Sequence, residues 1–429
     1  MHKVTLVFGE YLKRSVTLPI SLTYRDHRTT SSYNKDQLVF FLVGQLRMHS
    51  HRWKRISLKL SDQYFPHLLT TPYNVSSLEH LSLDLNGCLE RCCIRLNLKS
   101  AKNLKSFEYS GPKYLRVDNI DFHWEQLEEV SFQYSGSRGG VVSSGHLECL
   151  ALCRNITTCS LDAYTGDDIH SQTITLPCLR VLRVGVSGWR PNLNGAIDFL
   201  ILPHLQRLEI DSDSFFYPGS FSTFHDCKVS NLLERSRCSL SHLSIQGVSL
   251  PCDEILRCLE LSSTLSSFSY IPHAQSYDPF CDVIYYLRVG WSLAERDRIP
   301  TEEHETQAGF LVLLPELREL TVGTSKPAYL KTIMALLWSR GGSRAGAAGV
   351  AALRRVRVVF LDTMKRPADP VHVACLRTEL QEWVSEMKKE KNGSEIVEGG
   401  LETFTGITPP PSRQFTIGGS MPVMVCGGL

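Results

Sequence analysis

The stretch LPHLQRLEI, residues 202–210, returns in close variants as LPCLRVLRV at residues 176–184 and LPELRELTV at residues 314–322. Each copy has proline second, leucine fourth and seventh, and a β-branched residue ninth. The seventh and ninth side chains lie two positions apart, so on an extended strand both point to the same side. The stretch therefore predicts a chain that turns into a short strand with one apolar side.

A looser pattern, in which an apolar residue is followed three and five positions later by two more, recurs along most of the chain. Most neighbouring copies start 23 to 29 residues apart, near the period of leucine-rich repeats. Chance matches to so short a pattern are common in any leucine-rich chain, but this regular spacing favours a true repeat. The eleven copies start at Trp53, Leu78, Leu104, Leu127, Ile156, Leu179, Leu205, Leu240, Leu265, Leu317 and Leu353.

One short strand cannot bury its apolar side alone, whereas parallel neighbours about 4.8 Å apart form a continuous core. The segments that return between strands have helical character, and the prolines of the repeated stretch are expected to end incoming helices. The fold class predicted is therefore α/β, a leucine-rich-repeat-like solenoid with a parallel β-sheet on one face and irregular helices on the other.

The pattern also divides the chain. Residues 1–50 are predicted to supply a strand and a helix that lead into the solenoid. The solenoid itself occupies residues 51–362, with a long insertion near residues 271–312 where the spacing widens. Residues 363–392 have helical periodicity and would cap the last repeat, while residues 393–429 lack periodicity and are expected to be disordered.

Composition limits the classes of partner. The chain has 46 basic and 44 acidic residues, which argues against a nucleic-acid partner because phosphate binding needs an excess of Lys and Arg. Its longest apolar runs are far shorter than a bilayer span of about 20 residues, so no membrane partner is expected. The start has no signal-peptide pattern, which favours a soluble cytoplasmic or nuclear protein whose 14 cysteines are mostly reduced.

Motifs for catalysis are missing from the sequence. It contains no complete nucleophile elbow and no phosphate-binding glycine loop. A zinc site is one alternative, since Cys149 and Cys153 share a helix face and Cys159 and Cys178 follow on neighbouring repeats. Structural zinc usually needs a second matched cysteine pair, so buried free thiols are the favoured interpretation. We expect no enzymatic activity, no catalytic residue, no cofactor and no metal.

The residues between the apolar positions should line one exposed side of the sheet, where a repeat protein commonly binds its partner. They are polar and of mixed charge, which suits an unidentified protein partner, although they could simply keep the sheet soluble. The candidate protein-binding face comprises His80, Asp84, Glu108, Glu129, Gln133, Arg183, Arg207, Glu209, Asp211, His242, Gln246, Glu319, Arg355 and Arg357.

Three segments resemble the region that follows the F-box in basidiomycete F-box proteins: YLKRSVTLPISLTY at 11–24, MHSHRWKRISLKL at 48–60 and CLALCRNITTCSLDAY at 149–164. The resemblance implies the substrate-recognition part of a cullin-type ubiquitin ligase receptor. In that family the F-box lies upstream of these segments, and ten residues are too few for it. A ligase adaptor is therefore expected as a partner only if an upstream F-box exists. The alternative is a scaffold or interaction protein without a ligase connection.

Overall fold

The computed structural model describes residues 10, 12–15, 17–25, 33–59, 74–85, 96–111, 120–133, 144–162, 173–186, 197–212, 228–248, 250–272, 283, 287, 314–324, 330–340, 351–361, 374, 378, 381, 382, 385, 389 and 398–404. The chain forms two compact units. The described residues up to Leu179, together with Phe199–Ile201, belong to the first unit. The second unit contains the described residues from Arg180 to Asp198 and from Leu202 onward.

The first unit has mostly short strands. It contains the α-helices α1, Tyr33–Met48, and α2, Ser144–Leu152, and residues 10 and 12–14 are also helical. Its described strands are β1 Ile20–Arg25, β2 Trp53–Lys59, β3 His80–Asp84, β4 Leu96–Asn97, β5 Ser106–Ser110, β6 Ile120–Asp121, β7 Glu129–Gln133, β8 Thr158–Asp162, β9 Ile174–Thr175 and β11 Leu200–Ile201.

The second unit repeats this organisation of parallel strands and return helices. Its described helices are α3, Val229–Ser236, α4, Cys252–Glu260, and α5, Leu330–Ser339. Its described strands are β10 Val181–Val186, β12 Arg207–Ser212, β13 His242–Gln246, β14 Ser267–Ile271, β15 Glu319–Thr324, β16 Arg355–Leu361 and β17 Glu398–Phe404.

All pairings within each unit are parallel among the described strands. In the first unit, β1, β2, β3, β5, β7 and β8 pair in that order, while the short strands pair as β4 with β6 and β9 with β11. In the second unit, β10, β12, β13, β14, β15, β16 and β17 pair in that order. The parallel sheet predicted from the repeated pattern is therefore confirmed.

The apolar positions of the repeat form the core. Leu208 and Ile210 of the opening stretch are both 0% exposed, and Leu205, where the pattern starts, is also 0% exposed. The same holds along the series, since every residue that starts a copy of the pattern is buried. Because each strand presents its apolar side inward in register with its neighbours, the core of each unit is continuous from strand to strand.

The proline in the repeated stretch has a different role from the one predicted. The N–H of Leu205 donates a hydrogen bond to the carbonyl of Leu202 at 3.1 Å, and Leu179 donates to Leu176 at 3.3 Å. Proline thus occupies the second position of a four-residue turn, which its fixed φ favours. The prediction that it ends an incoming helix is wrong for these two copies, because the short strands β11 and β9 precede them.

Helices cover the return side of several repeats. Segments predicted to be helical do form α2, α4 and α5, whereas the described residues 197–201 before Leu202 contain one helical position, a turn and β11. In the second unit, α3 and α4 are joined by a buried carboxylate. Glu254 accepts hydrogen bonds from the backbone N–H of Ser230 at 2.7 Å and from its hydroxyl at 2.9 Å. This satisfies N-terminal groups of α3 and ties consecutive repeats together.

Beyond residue 272, the predicted insertion lies outside the described residues except for two helical positions, Val283 and Leu287. A buried arginine, Arg340, is hydrogen-bonded to the backbone within this insertion and just after it. Arg340 is 0% exposed and donates from Nε to the carbonyl of Leu287 at 2.7 Å and from Nη1 to the carbonyl of Leu314 at 2.9 Å. Burial lowers the pKa of Arg340 to about 10, so it remains protonated at neutral pH.

The C-terminal part differs from the prediction in one segment. Glu398–Phe404, expected to be disordered, forms β17 and pairs along the whole length of β16. Backbone hydrogen bonding along a sheet edge requires no apolar alternation, so this strand has no recognisable sequence pattern. The described positions between 374 and 389 are helical and exposed. Within the described part of the chain, no helix has the length and apolar character needed to cross a membrane.

Candidate functional site

The outward side of the first unit carries four polar residues in register on four adjacent strands. Arg55 on β2 pairs with His80 on β3, His80 pairs with Ser106 on β5, and Ser106 pairs with Glu129 on β7. Arg55 is exposed, His80 and Glu129 are half-buried, and Ser106 is buried. We call Arg55, His80, Ser106 and Glu129 the first tetrad.

The second unit carries the same four residue types in the same order. Arg207 on β12 pairs with His242 on β13, which pairs with Ser267 on β14, which in turn pairs with Glu319 on β15. We call these four residues the second tetrad. In both tetrads, a guanidinium, an imidazole, a hydroxyl and a carboxylate follow one another across adjacent strands.

The likeness extends to the side chains behind the tetrads. The third strand reads SFEYS at 106–110 and SFSYI at 267–271, so that Phe107 and Tyr109 correspond to the buried Phe268 and Tyr270. The second strand reads HLSLD at 80–84 and HLSIQ at 242–246. Each tetrad is therefore the outward part of a repeated four-strand block. Sequence comparison strand by strand would reveal it, but a fixed repeat period does not.

Burial and a hydrogen bond hold the centre of the first tetrad. Nδ1 of His80 and the hydroxyl oxygen of Ser106 are hydrogen-bonded at 2.9 Å. Burial lowers the pKa of His80; Glu108 and Glu129 act in the raising direction, and Arg55 reinforces the lowering. The imidazole is therefore mainly neutral at neutral pH and acts as a hydrogen-bonding group.

The charged ends of the first tetrad are available. Among the residues that the structure describes, none forms an ion pair with Arg55 or with Glu129. Glu108, which lies between them on β5, also has no ion-pair partner within this described set. The first tetrad thus presents a cation at one end and carboxylates toward the other.

The charged ends of the second tetrad are already engaged. Glu209 accepts a hydrogen bond from Nε of Arg183 at 2.8 Å and one from Nε of Arg207 at 2.6 Å. At the other end, Glu319 pairs with Arg355 at 3.3 Å. Burial would raise the pKa of Glu209, but the hydrogen bonds and charges of Arg207 and Arg183 outweigh it and lower that pKa.

His242 has surroundings similar to those of His80. Burial is the largest cause that lowers the pKa of His242, and Arg207 acts in the same direction. Glu209 and Glu319 act in the opposite direction without reversing the shift. Both tetrads therefore keep a mainly neutral imidazole between a cation and a carboxylate.

The remaining predicted residues also lie on strands, but they do not form one cluster. Asp84 forms an ion pair with Lys59 at 2.9 Å, which neutralises it locally. Asp211 and Gln246 are half-buried, whereas Gln133 and Arg357 are exposed. Three serines expected to be solvent-facing are instead buried: Ser106, Ser244 and Ser269 are 8%, 6% and 8% exposed.

The cysteines near residue 150 belong to the core. Cys149, Cys153 and Cys159 are each 0% exposed, and burial raises the pKa of all three thiols. The thiol of Cys153 donates to the carbonyl of Cys149 at 3.3 Å, as a helical thiol does four residues along. Cys178, by contrast, is exposed. Within the described residues, no three His, Cys, Asp or Glu side chains are grouped as metal ligands would be.

No protein-family model matches this chain, and no curated protein matches it. Among solved structures, it is similar to a chain in the crystal structure of a TLR13–ssRNA13 complex, with a TM-score of 0.36 and 12% sequence identity. The similarity covers 72% of this chain and 39% of that one, so this chain spans well under half of the other's length. A likeness this distant assigns neither a family nor a ligand, and the α/β repeat architecture rests on the strands and turns described above.

Proposed function

We propose that this chain is a non-enzymatic protein-binding repeat domain and that the outward side of its parallel strands is the binding surface. The observation that carries the proposal is the first tetrad. It places Arg55 and Glu129 on a rigid sheet, in register, with no ion-pair partner among the described residues. Charged side chains that are not neutralised within their own surface are available to an incoming partner.

The position of these groups on strands favours binding. A strand paired on both edges holds its side chains in place, so little backbone freedom is lost when a partner docks. Both signs of charge occur within about 14 Å, three strand spacings, which suits a protein surface better than a uniformly negative polyanion. Removing a charge of this kind typically changes association rate and salt dependence.

The test is quantitative affinity capture from cell extract with matched variants. Arg55→Glu together with Glu129→Gln reverses one end of the first tetrad and neutralises the other, so that a segment cannot bind by reversing its direction. The control is Lys102→Glu together with Glu148→Gln, which makes the same changes at exposed positions in a turn and on α2. We expect partners held by the wild type and the control to be lost by the tetrad variant. Equal capture by all three proteins would contradict the proposed surface.

We further propose that the domain serves, in the cytoplasm or nucleus, as the substrate-recognition part of a cullin-type ubiquitin ligase receptor. The support is the resemblance to basidiomycete F-box proteins and the way its segments pack. Arg52, in the MHSHRWKRISLKL segment, donates hydrogen bonds to the carbonyls of Leu12, Ser15 and Leu18 at 3.0, 2.8 and 2.9 Å. Two of the segments that carry the resemblance are therefore joined through one buried side chain.

The ligase role requires an F-box upstream of these segments. Sequencing the 5′ end of the transcript establishes whether one is encoded, and co-purification of the verified full-length protein with the ligase adaptor tests the connection. We expect an equimolar complex. Failure of the full-length protein to bind the adaptor would leave the alternative, a scaffold without a ligase connection, and would not affect the protein-binding surface.

A further inference from the structure

We propose that the first tetrad binds an extended segment of its protein partner that carries an acidic and a basic side chain four residues apart. This proposal rests on the proposed function and specifies the chemistry of the partner. It commits to a protein segment of defined charge pattern, because the tetrad offers a cation at Arg55 and a carboxylate at Glu129.

The spacing follows from strand geometry. Arg55 and Glu129 lie on strands separated by three steps of the sheet, which corresponds to about 14 Å. An extended chain advances about 3.3 Å per residue, so this distance is covered by about four residues. Side chains four apart in an extended segment point to the same side, so both charged residues of the ligand can face the sheet together.

Each part of the tetrad then has a counterpart. The guanidinium of Arg55 can bind a carboxylate in bidentate fashion, and Glu129 can accept hydrogen bonds from a lysine or arginine. The ligand residue midway between them lies over His80 and Ser106, which are hydrogen-bonded to each other at 2.9 Å. An uncharged hydrogen-bonding residue, such as Gln, Asn, Ser or Thr, matches this neutral pair.

The second tetrad has the same residues but is not expected to bind this segment. Its arginine is held by Glu209 and its carboxylate by Arg355. The corresponding neighbours in the first unit are Ser57, two residues after Arg55, and Thr158, the register partner of Glu129. A ligand would have to break existing ion pairs at the second tetrad but none among the described residues at the first.

The experiment selects binders from a display library of random peptides, using the full chain as bait. We expect enrichment of sequences with Asp or Glu and Lys or Arg four residues apart, in either order, since an extended segment can lie across the row in both directions. The same selection on Arg55→Glu should shift enrichment to two basic residues at that spacing. A selected peptide should lose about tenfold in affinity for Arg55→Glu, because a like charge replaces an opposite one.

The control peptide has the two charges three residues apart, which places them on opposite sides of an extended chain. This control peptide should bind no more tightly than a peptide with only one charge. Enrichment of peptides that depend on Arg55 and Glu129 but lack this spacing would overturn the inference and leave the binding surface intact. Selection of no peptide that responds to either residue would contradict both proposals. Thermal melting of each variant confirms that the reversed charges leave the fold unchanged.

Discussion

The two tetrads contain the same four side chains, yet only the first leaves its charged ends unpaired among the described residues. The difference comes from their neighbours. The residue two positions after the tetrad arginine is Ser57 in the first unit and Glu209 in the second. On the next strand beyond the glutamate stands Thr158 in the first unit and Arg355 in the second. Residue identity alone therefore does not define a binding site on this sheet, because adjacent positions decide which charges are available.

The energetic side of this comparison is modest. Exposed ion pairs contribute about 0.2–1 kcal/mol to stability, and Arg355 and Glu319 are of this kind. Glu209 is more strongly held, since its side chain is 12% exposed and contacts two arginines. These ion pairs matter more for binding than for stability. A ligand that uses Arg207 or Glu319 must first displace Glu209 or Arg355.

The largest expected effect tests whether the two blocks are equivalent in the core. Phe107→Ala and Phe268→Ala each remove a ring that is at most 1% exposed, and each should lower the free energy of unfolding by about 3–5 kcal/mol. The loss should be greater for Phe107, whose ring has edge contacts with Phe122 and Trp124 at centroid distances of 5.5 and 6.1 Å. Denaturant titration of both variants measures the difference.

The control is Gln133→Ala at an exposed position on β7, which should change the free energy of unfolding by no more than about 0.5 kcal/mol. Losses below about 1 kcal/mol for both phenylalanines would mean that the inward sides of β5 and β14 are wrongly assigned. A greater loss for Phe268 than for Phe107 would show that the aromatic contacts around Phe107 add nothing.

Much of the fold follows from local sequence. Alternation in LQRLEI specifies an inward Leu208 and Ile210, and the repeat period places such strands side by side, so the parallel sheet is predictable. The role of Pro203 is not predictable, because a proline fits the end of a helix and the second position of a turn equally well. Strand β17 also escapes prediction, since an edge strand can be held by backbone hydrogen bonds alone.

The candidate site is only partly predictable. Alternation predicts which residues alternate with the buried ones, but it does not select Arg55, Ser106 and Ser267 as candidates, and Ser106 is buried. The correspondence between the tetrads is concealed by unequal connections, since Arg55 and His80 are 25 residues apart whereas Arg207 and His242 are 35 apart. The pairing of Glu319 with Arg355 depends on register between strands 36 residues apart, which alternation within one strand cannot specify.

The second largest expected effect is a loss of stability of the first unit at acidic pH. His146 on α2 is fully buried beside Tyr109 and Phe132, and burial lowers its pKa to about 4. In the unfolded state the pKa of this imidazole is about 6.5. As the pH falls, the imidazole is therefore protonated in the unfolded state before it is protonated in the folded state. The stability that neutral His146 contributes is therefore complete above about pH 6.5 and is lost progressively down to about pH 4. Between about pH 7 and pH 5, this residue should account for a loss of about 2 kcal/mol.

Denaturant titrations of the wild type and His146→Leu at these two pH values isolate this contribution, because other titrating groups affect both proteins. The wild type should lose more stability than the variant on acidification, although the variant can be less stable at both pH values. Equal losses would show that the imidazole is protonated without disturbing the fold, and hence that its surroundings are more polar than the packing of Tyr109 and Phe132 indicates.

The smallest change in stability, with the clearest consequence for binding, comes from giving the second tetrad the neighbours of the first. Glu209→Ser combined with Arg355→Thr should free Arg207 and Glu319 while changing the free energy of unfolding by about 1–2 kcal/mol. A peptide selected on the first tetrad should then bind twice per chain, because both tetrads present the same unpaired ends. Calorimetric titration measures this stoichiometry.

Each single variant frees only one end and should leave one high-affinity site, which separates a true second site from a general gain in charge. Adding Arg55→Glu to the double variant should remove the original site and keep the new one. If the double variant still binds one peptide with unchanged affinity, then free charges in register are not sufficient. The difference between the tetrads would then lie elsewhere, and the hydrogen bond between His80 and Ser106 would be the next feature to exchange.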